Sequence, residues 1–157
     1  MNTADRSIAI MDMALRRRFD FIEMLPNMDV IKDIPTIEGL NISELLETIN
    51  KRIEILFDRE HTIGHAYFMP LKSDPSVGTL KYIFKDKVLP LLQEYFYDDY
   101  EKIRLVFNGN AFIVEEPIVS NNYFDIPVSD GTLAEKKYSI NKEAFDDIAN
   151  YKQIIKK

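Results

Sequence analysis

The strongest apolar periodicity in the chain runs through residues 42–56. Ile42, Leu45, Leu46, Ile49, Ile53 and Leu56 recur at helical spacing, with Ser43, Glu44, Glu47, Lys51 and Arg52 on the other face. Asn41 stands where a helix cap belongs, Glu44 can reach back to it, and Leu40 can staple onto Leu45. A second helical stripe spans about 77–97, with Leu80, Ile83, Phe84, Val88, Leu92 and Phe96 among its apolar positions. Pro90 lacks an amide proton, so this helix should kink or restart near 87–89. A third helix follows, capped by Asp98 with Glu101 as its partner. Tyr100, Ile103 and Phe107 turn inward, and Gly109 supplies the stop.

Outside this helical middle the pattern changes twice. Before it, Ile8, Met11 and Leu15 mark one face of a short helix that ends on Arg16, Arg17 and Arg18. The run Phe19-Asp20-Phe21-Ile22-Glu23-Met24 then reads with period two, as a half-buried strand. Residues 27–39 are flanked or broken by Pro26, Pro35 and Gly39 and read as a linker leaving a sheet. After residue 110, segments 111–114 and 123–128 look extended, separated by a Ser120-Asn121-Asn122 turn. A final helix over 142–155 turns Phe145, Ile148, Tyr151 and Ile155 to one side, and this tail is expected to fold back on the helices.

Length and composition narrow the class. At 157 residues, 46% of them hydrophobic, the chain holds one domain and part of another and buries a real core. No apolar run approaches the roughly 20 residues of a membrane span, and Met1 is followed by polar residues rather than a signal sequence. Cysteine is absent, which removes disulfides and thiolate metal sites. A cytoplasmic protein is expected, without membrane contact. The net charge of −6, from 26 acids against 20 bases, leaves Arg16–Arg18 as the one dense basic cluster. Three adjacent arginines suit a single anionic ligand better than a nucleic-acid track.

Four blocks carry more specific information: MNTADRS at the N-terminus, ALRRRF before the first strand, EHTIGHAYF after the long helix, and PLLQEYFYDD beyond it. Together they resemble the second half of the nucleotidase core and the lid of the McrB-like AAA+ GTPases, the motor subunits of methylcytosine-specific restriction systems. The resemblance implies that Asn2 is the strand-end sensor that positions the attacking water. It implies that Arg18, with Arg17 as the alternative, is the finger reaching a neighbouring subunit's nucleotide. A finger needs a permanent charge on a planar fork. The dipole of the preceding helix could explain one or two of the three arginines, and Arg16 reads as structural. Asp5 and Arg6 either orient Asn2 or cross the subunit interface. A local capping role for Asp5 or Ser7 fits equally. In the same family the GHAYF block packs the lid against the nucleotide site, so Gly64 would permit close backbone approach and His65 would hydrogen-bond there. Arg59 is a possible second sensor.

The family's phosphate loop, G-x-x-x-x-G-K-[ST], has no counterpart here, since none of the five glycines precedes a lysine. Phe112 to Glu116 mimics the magnesium-holding acidic strand but lies far too late in chain order. His61 and His65 have zinc-helix spacing, yet Gly64 intervenes, no Glu follows His61, and no third ligand is evident, so no metal site is expected. Asp125, Glu135 and Lys137 mimic a nuclease D…E-x-K pattern that arises readily by chance in acidic, lysine-rich sequence. Tyr95, Phe96, Tyr97 and Tyr100 sit among Glu94, Asp98, Asp99 and Glu101, a setting for packing rather than base stacking on a phosphate backbone.

The expected fold is mainly α: the end of an AAA+ α/β core (helix plus strand) over 1–28, a helical lid over 29–109, and a mixed C-terminal extension over 110–157. The expected function is the sensor and lid portion of a DNA-translocating motor that activates a partner nuclease. In the intact protein the resemblance implies GTP or ATP with magnesium, a homo-oligomeric ring, a McrC-like nuclease subunit, and DNA contacted mainly by other parts. For this chain alone no bound nucleotide and no turnover are expected. The competing expectation is a stand-alone helical interaction module without nucleotidase activity.

Overall fold

Helix α1 (Ile42–Leu56) forms where the stripe is densest, and Ile42, Leu45, Leu46, Ile49 and Ile53 are all buried along one side. Asn41 caps it in the expected way, its side-chain oxygen accepting from the Glu44 amide at 3.1 Å. Such a cap contributes about 1 kcal/mol. The computed structural model describes residues 25–117 and 136–156. The readings for Asn2, Asp5, Arg6, Arg16, Arg17, Arg18, the 19–24 strand, the 123–128 segment, Asp125 and Glu135 lie outside the described residues.

The second stripe forms two helices, α2 (Val77–Ile83) and α3 (Leu89–Tyr95), joined by a wide π turn over Phe84–Val88. The Leu89 amide reaches back five residues to the Phe84 carbonyl. The restart falls where Pro90 demanded it. An α-helical turn would drive the proline ring into the carbonyl four residues back, and the wider turn relieves that clash. Helix α4 (Tyr100–Val106) is capped by Asp99, which accepts from the Lys102 amide at 3.1 Å. This corrects the expectation of Asp98. Tyr97 and Asp98 have positive φ, 53° and 58°, so they form the tight turn itself and the cap moves one residue on. Asn108 and Gly109, also left-handed, close α4 with a Gly109 amide bond to the Arg104 carbonyl at 2.8 Å.

Residues 27–39, expected as a linker, belong to the folded body. Ile31, Ile34, Ile37 and Leu40 recur at every third position and are buried in the same core as α1. A 3₁₀ turn, Met28–Ile31, starts the segment. A two-residue hairpin ends it, with Ile37 and Leu40 exchanging both backbone bonds at 3.1 and 2.9 Å. Glu38 and Gly39 both take positive φ there, 48° and 85°, the pairing in which a glycine relieves the strain of a primed turn.

The C-terminal residues complete the body. Strand β1 (Ile113–Glu116) pairs antiparallel with β2 (Lys137–Ile140), Ile113 opposite Ile140 and Glu116 opposite Lys137. The mimic of an acidic metal strand is therefore a hairpin edge, with the Glu116 carboxylate held at 2.8 Å by Lys137. The expected last helix is broken: a 3₁₀ turn, Glu143–Asp146, is followed by α5 (Ile148–Ile155), which Asp147 caps. Ile154 rather than Ile155 enters the core. Phe112, Phe145 and Tyr151 gather around Phe84 and Phe107, with Phe112 stacked on Phe145 at 4.1 Å and 9°. The tail does fold back on the helices. Its aromatic rings fill the middle of their core.

Candidate functional site

The EHTIGHAYF block leaves the end of α1 and turns back along the body. Asp58 organises that turn, its Oδ1 accepting from the Glu60 amide at 2.8 Å, the His61 amide at 3.0 Å and His61 Nδ1 at 2.7 Å. Burial works to raise the Asp58 pKa, but the His61 bonds outweigh it and hold the carboxyl below its ordinary value. The His61 ring lies edge-on between Phe57, 4.2 Å away, and Tyr95, 4.8 Å away. His61 is thus a packed structural residue. Arg59 sits in the same turn, where its carbonyl accepts from Thr62 Oγ1 at 3.1 Å.

The next residue is held from inside. Asn50, buried on the inner side of α1, donates Nδ2 to the Ile63 carbonyl at 3.0 Å and accepts the Ile63 amide on Oδ1 at 2.8 Å. A buried amide on an apolar face is costly unless both ends are satisfied, and here one backbone residue satisfies both. The sequence reading missed Asn50 because it occupies a stripe position between Ile49 and Ile53. A polar residue on an otherwise apolar face was the signal available.

Gly64 and His65 come next, at the start of the 3₁₀ helix His65–Lys72. His65 Nδ1 accepts the Asn27 amide at 3.0 Å, which requires that nitrogen to be unprotonated. At the far end of the same helix Lys72 binds Asp33 at 2.9 Å. The segment entering the body is therefore pinned at both ends to the helix that carries the GHAYF residues. Phe68 and Leu71 anchor that helix in the core, and Tyr67 and Met69 remain partly exposed.

Gly64 has φ −69° and ψ 142°, a conformation open to any residue. A β-carbon there would meet nothing within 4 Å, so the described fold makes no demand for glycine. Gly64→Ala is accordingly expected to leave the thermal midpoint almost unchanged, with a stability effect within about 0.5 kcal/mol by denaturant titration. A large loss would show that the backbone there is constrained after all.

A cleft of about 200 Å³ lies beside this joint, lined by Leu25, Met28, Asn50, Glu54 and Thr62 among others. Leu25 is 54% exposed at its mouth. The wider depression, about 580 Å³, is elsewhere, between Asp98, Asp99, Glu101, Lys136 and Tyr138. Its carboxylates, one of them already paired with Lys136 at 2.8 Å, make it a poor seat for a polyphosphate. Among the described residues no group of three histidine, cysteine, aspartate or glutamate side chains is placed to hold a metal. No described helix is long and apolar enough to cross a membrane. The structure thus brings Gly64 and His65 together with Asn27 and Asn50, whereas Lys137 of the nuclease-like pattern sits apart in β2.

Residues 41–104 match the family model described as McrB, alpha-helical lid domain. Over 114 residues the chain is 40% identical to the type IV methyl-directed restriction enzyme EcoKMcrB subunit of Escherichia coli strain K12. That alignment covers 63% of this chain and 25% of the relative, so the chain matches about a quarter of that protein's length.

Proposed function

The chain is McrB-like, with an α-helical lid of that family over residues 41–104, and on that footing we propose that it supplies the sensor and lid portion of a nucleotide-driven restriction motor. What supports the reading is the joint at Asn27. The segment arriving from the sensor and arginine blocks is bonded to the GHAYF histidine, so a shift of the core is felt by the lid. An open backbone at Gly64, unneeded by the fold, leaves room for a nucleotide to approach there.

In this proposal the domains run 1–28, 29–109 and 110–157, the first being the end of the α/β core. The substrate is GTP or ATP with magnesium, bound between that core and the lid. Its phosphate loop and acidic strand come from residues other than these 157, which contain no G-x-x-x-x-G-K-[ST] sequence. Asn2 aligns the attacking water in its own subunit, with Asp5 and Arg6 beside it. Arg18, or Arg17, stabilises charge developing in the neighbouring subunit's site, so the working unit is a homo-oligomeric ring. Gly64 and His65 close the lid side of the pocket. Lid movement then drives DNA through the ring and activates a McrC-like nuclease subunit, most DNA contacts lying in other parts of the protein.

Mixed alone with magnesium and either GTP or ATP, this chain is expected to give no phosphate release above background. A clear rate from the chain alone would overturn the proposal. The two ends of the mechanism, sensor and finger, are tested in the assembled motor as set out in the Discussion.

A further inference from the structure

Asn50 interrupts the best apolar stripe in the molecule, and only 6% of its surface is exposed. Both of its side-chain bonds go to a single residue, Ile63, thirteen positions along the chain. A side chain that engages the amide and the carbonyl of one residue fixes its orientation as well as its place, much as a neighbouring strand would. Gly64 follows Ile63 directly, and His65 Nδ1 holds the Asn27 amide at 3.0 Å. Four consecutive short links therefore connect the inside of α1 to the point where the chain enters the body.

We infer that Asn50 is a positioning residue that couples α1 to the Gly64–His65 turn and, through His65, to the entering segment at Asn27. Asn50 sets where the turn lies, and the turn sets whether His65 can meet the Asn27 amide. The body and residues 27–40 consequently move as one piece, and the pivot of any lid motion falls before Asn27, at Leu25 and Pro26 beside the exposed cleft. The consequence for nucleotide handling rests on the lid reading given above; the coupling itself does not.

The test uses the whole chain labelled with nitrogen-15. In the wild type a scalar coupling across the Asn27 N–H to His65 Nδ1 hydrogen bond should be observed. In Asn50→Ala, amide exchange at Ile63 should rise roughly tenfold or more, the scale of losing a buried hydrogen bond, and the Asn27–His65 coupling should disappear. Should Asn50→Ala fail to fold, Asn50→Asp is read by the Asn27–His65 coupling alone, whose loss upholds the inference and whose persistence overturns it. That variant keeps an acceptor for the Ile63 amide but offers no donor to the Ile63 carbonyl. A loosened Ile63 with the Asn27–His65 coupling intact would overturn the inference, because Asn50 would then serve its own loop only. In Asn50→Ala an unchanged Ile63 would overturn it too. In the assembled motor Asn50→Asp should raise KM for nucleotide several-fold while kcat holds. Loss of the Asn27–His65 coupling with KM unchanged would uphold the tether and count against the lid reading.

Discussion

Arg18→Ala is expected to lower nucleotide hydrolysis by the assembled motor about 10³-fold or more, with nucleotide affinity largely kept. That is the magnitude attached to a cation that meets charge appearing only in the transition state. Arg18→Lys should rescue little, because a point charge on a flexible stem does not reproduce a planar fork across two oxygens. The decisive version is a mixing experiment. On the proposed reading, Asn2→Ala removes the sensor from a subunit's own site, while Arg18→Ala removes the group lent to its neighbour. Each variant alone should be nearly inactive. A mixed ring should recover part of the rate, since interfaces joining the two intact halves carry both groups. No recovery would place both residues on the same side of the interface. A larger loss from Arg17→Ala than from Arg18→Ala would move the finger one residue back.

Phe112→Ala should destabilise the whole folded body by about 3–5 kcal/mol, the range for emptying a buried aromatic site. Phe112 lies beyond the segment that matches the lid family, yet it is fully buried. Its ring stacks on Phe145 and meets Phe107 at 5.4 Å and Tyr151 at 5.0 Å. Those partners come from the C-terminal cap of α4, from the 3₁₀ turn Glu143–Asp146 and from α5, so the cavity would open between elements far apart in sequence. The measurement is urea unfolding followed by both helical and aromatic signals. Both transitions should shift together to lower urea. A shift confined to the aromatic signal would make residues 110–157 a separate unit, dividing where the extension was expected to begin. Ile55→Ala is a useful control, since Ile55 is 82% exposed and its loss should cost no more than about 0.5 kcal/mol.

The helices were legible because their signals are local. Asn41 and the apolar spacing behind it define α1, and Pro90 announces its own break. Residues 27–39 carry the loop signals of Pro35 and Gly39, and the three-residue spacing of Ile31, Ile34, Ile37 and Leu40 is too tight to register as an α-helical stripe. The cap of α4 shifted by one position because two adjacent left-handed residues, Tyr97 and Asp98, are a backbone event that side-chain types do not announce. The site divides along the same line. Gly64 and His65 are singled out by the GHAYF block, but Asn50 acts through a residue thirteen positions away, and no short motif contains both. The bond from Asn27 to His65 spans 38 positions and belongs to tertiary packing alone.

The π turn over Phe84–Val88 has a bearing on how sequences of this kind should be aligned. Leu80, Phe84, Val88, Leu92 and Phe96 follow one another at steps of four, and all five are buried. In an uninterrupted α-helix each such step drifts by about 40°, so the fifth residue would stand about 160° round the axis from the first. The wide turn absorbs one extra residue and winds that drift back, which lets a single side of the rod stay turned to the core along its length. Seen this way, the turn is an insertion held in place by the proline after it. Relatives without a proline at the position of Pro90 should be one residue shorter between the positions of Ile83 and Leu89, with an ordinary α-helix running through. The gap in an alignment should fall there and nowhere else in the rod.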